Sequence, residues 1–111
     1  MNKLKLLEAI KIGSHNVEVI NPYGFKERND LAGQCDHNMN EIRIDPYDLS
    51  HVKRSDSTIM VDFIHEVLHR IDHVSGHKIF DNNESALEGI SEGIYQVLVD
   101  NGYIKGCSDA N

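Results

Sequence analysis

Two histidines four residues apart, with a glutamate directly after the first, stand in the stretch His65-Glu66-Val67-Leu68-His69. On a helix, positions i and i+4 share a face about 6 Å apart along the axis, so both imidazoles can bend toward one ion with Zn–N distances near ~2.0 Å. Glu66 projects from the neighbouring side of that face, where a carboxylate can hold a water molecule and take its proton. The pattern is HExxH, the spacing that metal-assisted hydrolysis uses. The chain contains 7 histidines, and its composition predicts roughly 0.03 chance occurrences of the pattern, so histidine content alone does not account for it. The ordinary alternative is a solvated His/Glu helix face that binds nothing.

A clamp of two histidines needs a third protein ligand and leaves a fourth position open to water. His73 lies about 12 Å along the axis from His65 and cannot share its ion on an unbroken helix. The metzincin pattern HExxHxxGxxH would place glycine at 72 and histidine at 75, where this chain has Asp72 and Ser75. His77, just past Gly76, stays as a weaker candidate because the chain has turned there. A better one lies in Asn82 to Leu98. Glu84 falls in the first turn of an expected helix and Glu88 one turn later on the same side. One carboxylate can meet the metal while the other holds a ligand histidine by a hydrogen bond. Glu84 is the favoured third ligand, with Glu88 behind the histidine; Glu88 itself and His77 remain alternatives. Acidic residues also suit a first helical turn through the macrodipole alone.

The elements that must position these residues follow from periodicity. Leu6 to Ile12 and Val17 to Ile20 flank the turn-forming Gly13-Ser14-His15-Asn16, which predicts a hairpin. Glu41-Ile42-Arg43-Ile44-Asp45 alternates with period two and stops at Pro46, a third short strand. From Ser57 the period changes. Met60, Phe63, Ile64, Val67, Leu68, Ile71 and Val74 recur at helical spacing, with Ser55 or Ser57 as N-cap and Gly76 as the stop. HEVLH therefore sits mid-helix, and its polar face continues through Asp62, Asp72 and His73. A second helix is expected from Asn82 or Asn83 through Leu87, Ile90, Ile94, Val97 and Leu98 to Asn101-Gly102. Gly89 and Gly93, four apart, either admit a close neighbour or are tolerated surface glycines.

Length and charge bound the rest. The 111 residues fit one domain, 1–111. A net charge of −7 with 11 scattered basic residues argues against a nucleic-acid or anionic-membrane partner. No apolar run approaches the roughly 18 residues of a membrane span, and the N-terminus lacks a signal peptide's apolar segment, so a cytoplasmic protein is expected. Cys35 and Cys107 form no CxxC pair and are expected to be reduced. His15, His37 and His51 are expected to face solvent. Tyr95 is expected to pack rather than to stabilise an oxyanion, and no oxyanion donor is assigned.

HEVLH followed by Asn83-Glu84-Ser85-Ala86-Leu87-Glu88 resembles a gluzincin. The order of a hairpin, Gly33 to Asp45, the HExxH helix and then Glu92 to Gly102 is similar to small phage-borne and bacterial zincins related to ImmA/IrrE-type metallopeptidases. The likeness spans roughly Ile10 to Gly102. It implies an α+β, minimal zincin-like fold: a short N-terminal sheet of about three strands, the HExxH helix, and a glutamate-bearing C-terminal helix. It further implies Zn2+ on His65, His69 and Glu84, Glu66 as general base, and hydrolysis of a protein or peptide substrate of narrow range. In such relatives the substrate backbone adds to an edge strand, for which Glu41 to Asp45 is the expected position. The gap from His69 to Glu84 is shorter than in larger gluzincins. The rival expectation is a non-catalytic zinc-binding regulatory or interaction module, whose fourth position a residue such as His37 or Cys35 would close. A metal-free acidic interaction protein is the third. Oligomeric state is not legible.

Overall fold

The computed structural model describes residues 6–25 and 32–104 of the chain; Cys107 lies outside them. The order is β1 (Ala9–Ile12), β2 (His15–Ile20), β3 (Gly33–Asp36), β4 (Glu41–Ile44), α1 (Asp56–Ser75) and α2 (Glu84–Asp100). The architecture is α+β, as the sequence implies, with four strands where about three are expected. The extra strand is β3, Gly33-Gln34-Cys35-Asp36, whose four residues show no alternation of apolar and polar side chains.

The sheet order is β1-β2-β4-β3. Gly13 makes the β1–β2 turn, with a left-handed φ of 62° that suits glycine. β2 pairs parallel with β4, Val19 beside Ile42, and β3 closes antiparallel on β4, Cys35 opposite Ile42 and Gly33 opposite Ile44. The expected edge strand, Glu41 to Asp45, is therefore interior, because β2 and β3 occupy both of its sides. Among the described residues, β3 is the outer strand on that side.

One face of the sheet is apolar. Ile12, Val17, Ile42 and Ile44 pack there against Ile59 of α1, with Phe63 and Val67 continuing the contact at four-residue spacing. Burying each such side chain stabilises by about 1.5–3 kcal/mol. The expected helix core changes at three positions: Ile59 and Val61 are buried, whereas Ile71 is exposed.

Ser55 caps α1 by accepting from the Thr58 N–H, and Gly76 ends it at φ 76°. The return to α2 is held from inside. Asp72, buried near the end of α1, accepts from the backbone N–H of Ile79 at 2.8 Å and of Phe80 at 2.9 Å. These two bonds hold its carboxyl below the ordinary range. α2 starts at the Asn83 cap and packs on α1 through buried Leu87 and Ser91. Ile90 and Val97 are exposed. A Cβ added at Gly89 or Gly93 would meet nothing within 4 Å, so these are surface glycines and admit no close neighbour among the described residues. No helix among those residues is long and apolar enough to cross a membrane.

Candidate metal centre

α1 lies between the sheet and α2, and this sets the direction of each flank. Positions 65 and 69 face α2, while 66 and 70, one residue later, turn under β3. The helix thus splits HEVLH into two environments. His65 and His69 meet in an edge-to-face arrangement with ring centroids 5.0 Å apart. Glu84, in the first turn of α2, reaches both: Oε1 lies 2.9 Å from His65 Nε2 and Oε2 lies 2.9 Å from His69 Nε2. One ligand atom from each of His65, His69 and Glu84 falls within 4.8 Å of the others, a group that can hold a metal ion. Two imidazole nitrogens and a carboxylate suit a divalent transition metal.

Glu88, one turn further on, lies 3.0 Å from His65 Nδ1 through Oε2. A metal at His65 Nε2 requires that nitrogen to be bare, so the ring proton sits on Nδ1 and is donated to Glu88. His77 is exposed and belongs to no such group among the described residues. Asp62 is tied by Arg54 Nη1 at 2.6 Å.

Glu66 occupies the other environment and is 8 % exposed. Burial pushes its carboxyl from 4.5 up to about 7; the cationic form of His65 opposes this, and Glu84, Asp62 and Glu88 add to it. β3 covers it closely. A Cβ at Gly33 would stand 3.1 Å from Glu66 Oε2, so a glycine here lets the strand pass over the carboxylate. The cavity above His65 and His69 holds about 490 Å³ and is bounded by Gly33, Gln34 and Cys35 of β3 on one side and Glu84 and Glu88 on the other. Tyr95 instead lines an adjoining groove with Asp62 and Glu88.

Three residues of this region, His37, Arg70 and Cys35, lie outside the triad; His37 and Cys35 are the residues that a closed, non-catalytic site would use. His37, expected in solvent, is half-buried and lines the cavity. It sits in the β3–β4 turn, which Asp36 closes by accepting from the N–H of Asn38 and Met39, both at 3.0 Å. Its ring stacks on His73 at 3.8 Å. Arg70, 3 % exposed, ties the turn to α1 by donating to the His37 carbonyl, the His37 Nδ1 and the Asn40 Oδ1. Its Nε has no partner among the described residues. Cys35 Sγ lies 3.6 Å from His37 Nδ1, and burial, aided by Glu66, pushes the thiol up to about 11. Burial first, then His73 and Arg70, hold the His37 imidazole below its ordinary value. The Asp36-to-Asn40 turn chemistry could have pointed to this corner, whereas nothing local in the sequence distinguishes Arg70 from a solvated helix arginine.

The fold and site define a small α+β domain with a two-histidine, one-carboxylate group beneath a sheet edge. No protein-family model matches the chain, and it matches no curated protein and no solved structure.

Proposed function

We propose that the chain is a zinc-dependent metallopeptidase of minimal zincin type, with His65, His69 and Glu84 as ligands and Glu66 as the general base. The observation that carries this reading is the pairing of two environments along α1: two half-buried histidines that meet Glu84 of α2, and beside them a buried carboxylate raised to about 7. A general base is most efficient when its pKa lies near the working pH, and a solvated helix face would leave a glutamate near its ordinary 4.5.

Zinc in the triad would polarise the scissile carbonyl and bring the pKa of water toward about 7. Glu66 takes the proton of the attacking water and returns it to the leaving amine. With a metal on His65 Nε2, Glu88 would accept the Nδ1 proton and hold the ring in that orientation. The outer edge of β3, Gly33–Asp36, is the strand on which a substrate peptide would add by main-chain hydrogen bonds, replacing the expected Glu41 to Asp45. A non-catalytic module would close the fourth position. Against that, Cys35 and His37 face each other and Arg70, and neither joins the ligand group.

The test is elemental analysis of the protein offered zinc, followed by mass spectrometry of a mixed peptide library incubated with the zinc form and with its Glu66→Gln variant. One zinc per chain and new cleavage products absent from Glu66→Gln are expected. Zinc without Glu66-dependent cleavage would leave the binding module; no zinc would remove both.

A further inference from the structure

We infer that His37 is a catalytic residue of this site, a fixed neutral donor whose Nε2–H binds the carbonyl oxygen of the substrate as it becomes anionic. This rests on the metallopeptidase reading and supplies the oxyanion donor that the sequence leaves unassigned.

A guanidinium has five N–H donors and no acceptor. Arg70 Nη1 stands 3.2 Å from His37 Nδ1, so that nitrogen accepts and carries no proton. The Cys35 thiol, 3.6 Å from the same atom, is also placed to donate to it. A neutral imidazole with a bare Nδ1 carries its hydrogen on Nε2, and the adjacent guanidinium opposes a second proton. Nε2 has no partner among the described residues, while the ring lines the cavity that also contains His65, Glu66 and His69.

The ring is also held in place. It stacks on His73 with an interplanar angle of 11°, and its own carbonyl accepts from Arg70. Among the described residues buried Arg70 has only neutral acceptors and its Nε is unpaired, a costly arrangement for a cation. Orienting His37 gives that arrangement a use, so Arg70 is a positioning residue. Preorganised donors aimed at a developing oxyanion are among the largest contributions to acyl-transfer catalysis.

The test uses acetohydroxamate, an anionic zinc-chelating probe that needs no sequence preference, on the zinc-loaded full chain. Zinc content is measured beside the probe's Kd for the wild type, His37→Phe and His37→Gln. His37→Phe keeps a ring to stack on His73 but has no N–H; His37→Gln keeps an acceptor for Arg70 and a donor for the ligand. The expected result is full zinc in all three, probe binding weaker by about 10-fold or more in His37→Phe, and partial recovery in His37→Gln. Equal probe affinity in His37→Phe, or loss in His37→Gln with retention in His37→Phe, would overturn the inference and leave the zinc site standing. A wild type that takes up no zinc would sink the reading beneath it as well. Long-range 1H–15N correlation spectra of the metal-free wild type give a check that needs no variant. A proton on Nε2 of His37 is expected, and a proton on Nδ1 overturns the assignment.

Discussion

Replacing Gly33 with alanine adds one methyl group where β3 crosses Glu66. That carbon would stand 3.1 Å from Glu66 Oε2, 3.3 Å from its Cγ and 3.4 Å from Ile44 Cδ1. Glu66 is buried and Ile44 fully so, and neither can yield without disturbing the packing between α1 and the sheet. Forcing an extra methyl into such a place costs about 1–3 kcal/mol. Alanine's smaller unfolded-state entropy offsets about 0.4–1 kcal/mol, because the backbone at Gly33 lies outside the left-handed region. The net expectation is a loss of about 1 kcal/mol, or about 4–8 °C in Tm for a small domain. Gly89→Ala is the matched control. Its new methyl meets nothing within 4 Å, and helix propensity alone should stabilise by about 0.5–1 kcal/mol. The two variants make the same chemical change with opposite expected signs, read by thermal and urea unfolding under identical conditions. A Glu66→Ala background should recover part of the Gly33→Ala loss, since the Ile44 contact remains. A Gly33→Ala protein as stable as Gly89→Ala, or a loss indifferent to residue 66, would mean that β3 does not lie on that carboxylate.

Other outcomes follow from the same geometry. Added zinc at about 100 times its Kd should stabilise the wild type by about 2.7 kcal/mol, and Glu84→Ala should abolish most of the gain in a melting assay with chelator as the blank. Ile59→Ala, at 1 % exposure between α1 and the sheet, should cost about 2–5 kcal/mol in urea unfolding. Asp72→Asn should lower Tm at neutral pH and weaken zinc binding, because the turn that delivers Glu84 loses an ionised acceptor. Its carboxyl is lower in the folded chain, so this stabilisation is present above the ordinary Asp value and is lost as pH falls through the folded one. The difference between wild type and variant should therefore shrink in acid. Cys35, pushed to about 11, should alkylate far more slowly at pH 8 than a free thiol in a Cys107→Ser background, with the rate rising steeply toward pH 10.

The two helices were legible because their signals are local and repeated: a serine cap, a glycine stop, and apolar residues at three- and four-residue spacing. Glu84 could be picked out because a first-turn carboxylate after an Asn cap has a fixed direction, although nothing in the sequence said that α2 would fold back against the HEVLH face. That return depends on Asp72 bonding two N–H groups seven and eight residues away. β3 escaped because four residues reading Gly-Gln-Cys-Asp carry no period, and their pairing with β4 comes from the far side of a turn. The misplaced edge strand has the same origin. Glu41 to Ile44 alternates as a half-exposed strand would, yet its outward Glu41 and Arg43 are paired with each other and with Asp36. Arg70 was invisible because burial of a cation is a tertiary fact.

Glu66 provides the sharpest test that this corner is maintained for chemistry rather than for stability. Burial raises its carboxyl from 4.5 to about 7, so the folded state holds a proton that the unfolded state releases earlier. The Glu66 contribution to the stability of the metal-free protein must then fall as pH rises from about 4.5 to about 7 and stay low above it. At about 1.4 kcal/mol per pH unit, ionised Glu66 disfavours folding by about 3 kcal/mol. Glu66→Gln keeps the shape and removes the charge. In urea unfolding at pH 8 with chelator, it should be more stable than the wild type by about that amount, and the advantage should vanish near pH 4. A helix surface selected only for folding would carry the neutral residue there, and a base working at neutral pH requires the ionisable one. A Glu66→Gln protein no more stable than wild type at pH 8 would mean that the carboxylate is well solvated, and the argument for Glu66 as the proton acceptor would fail with it.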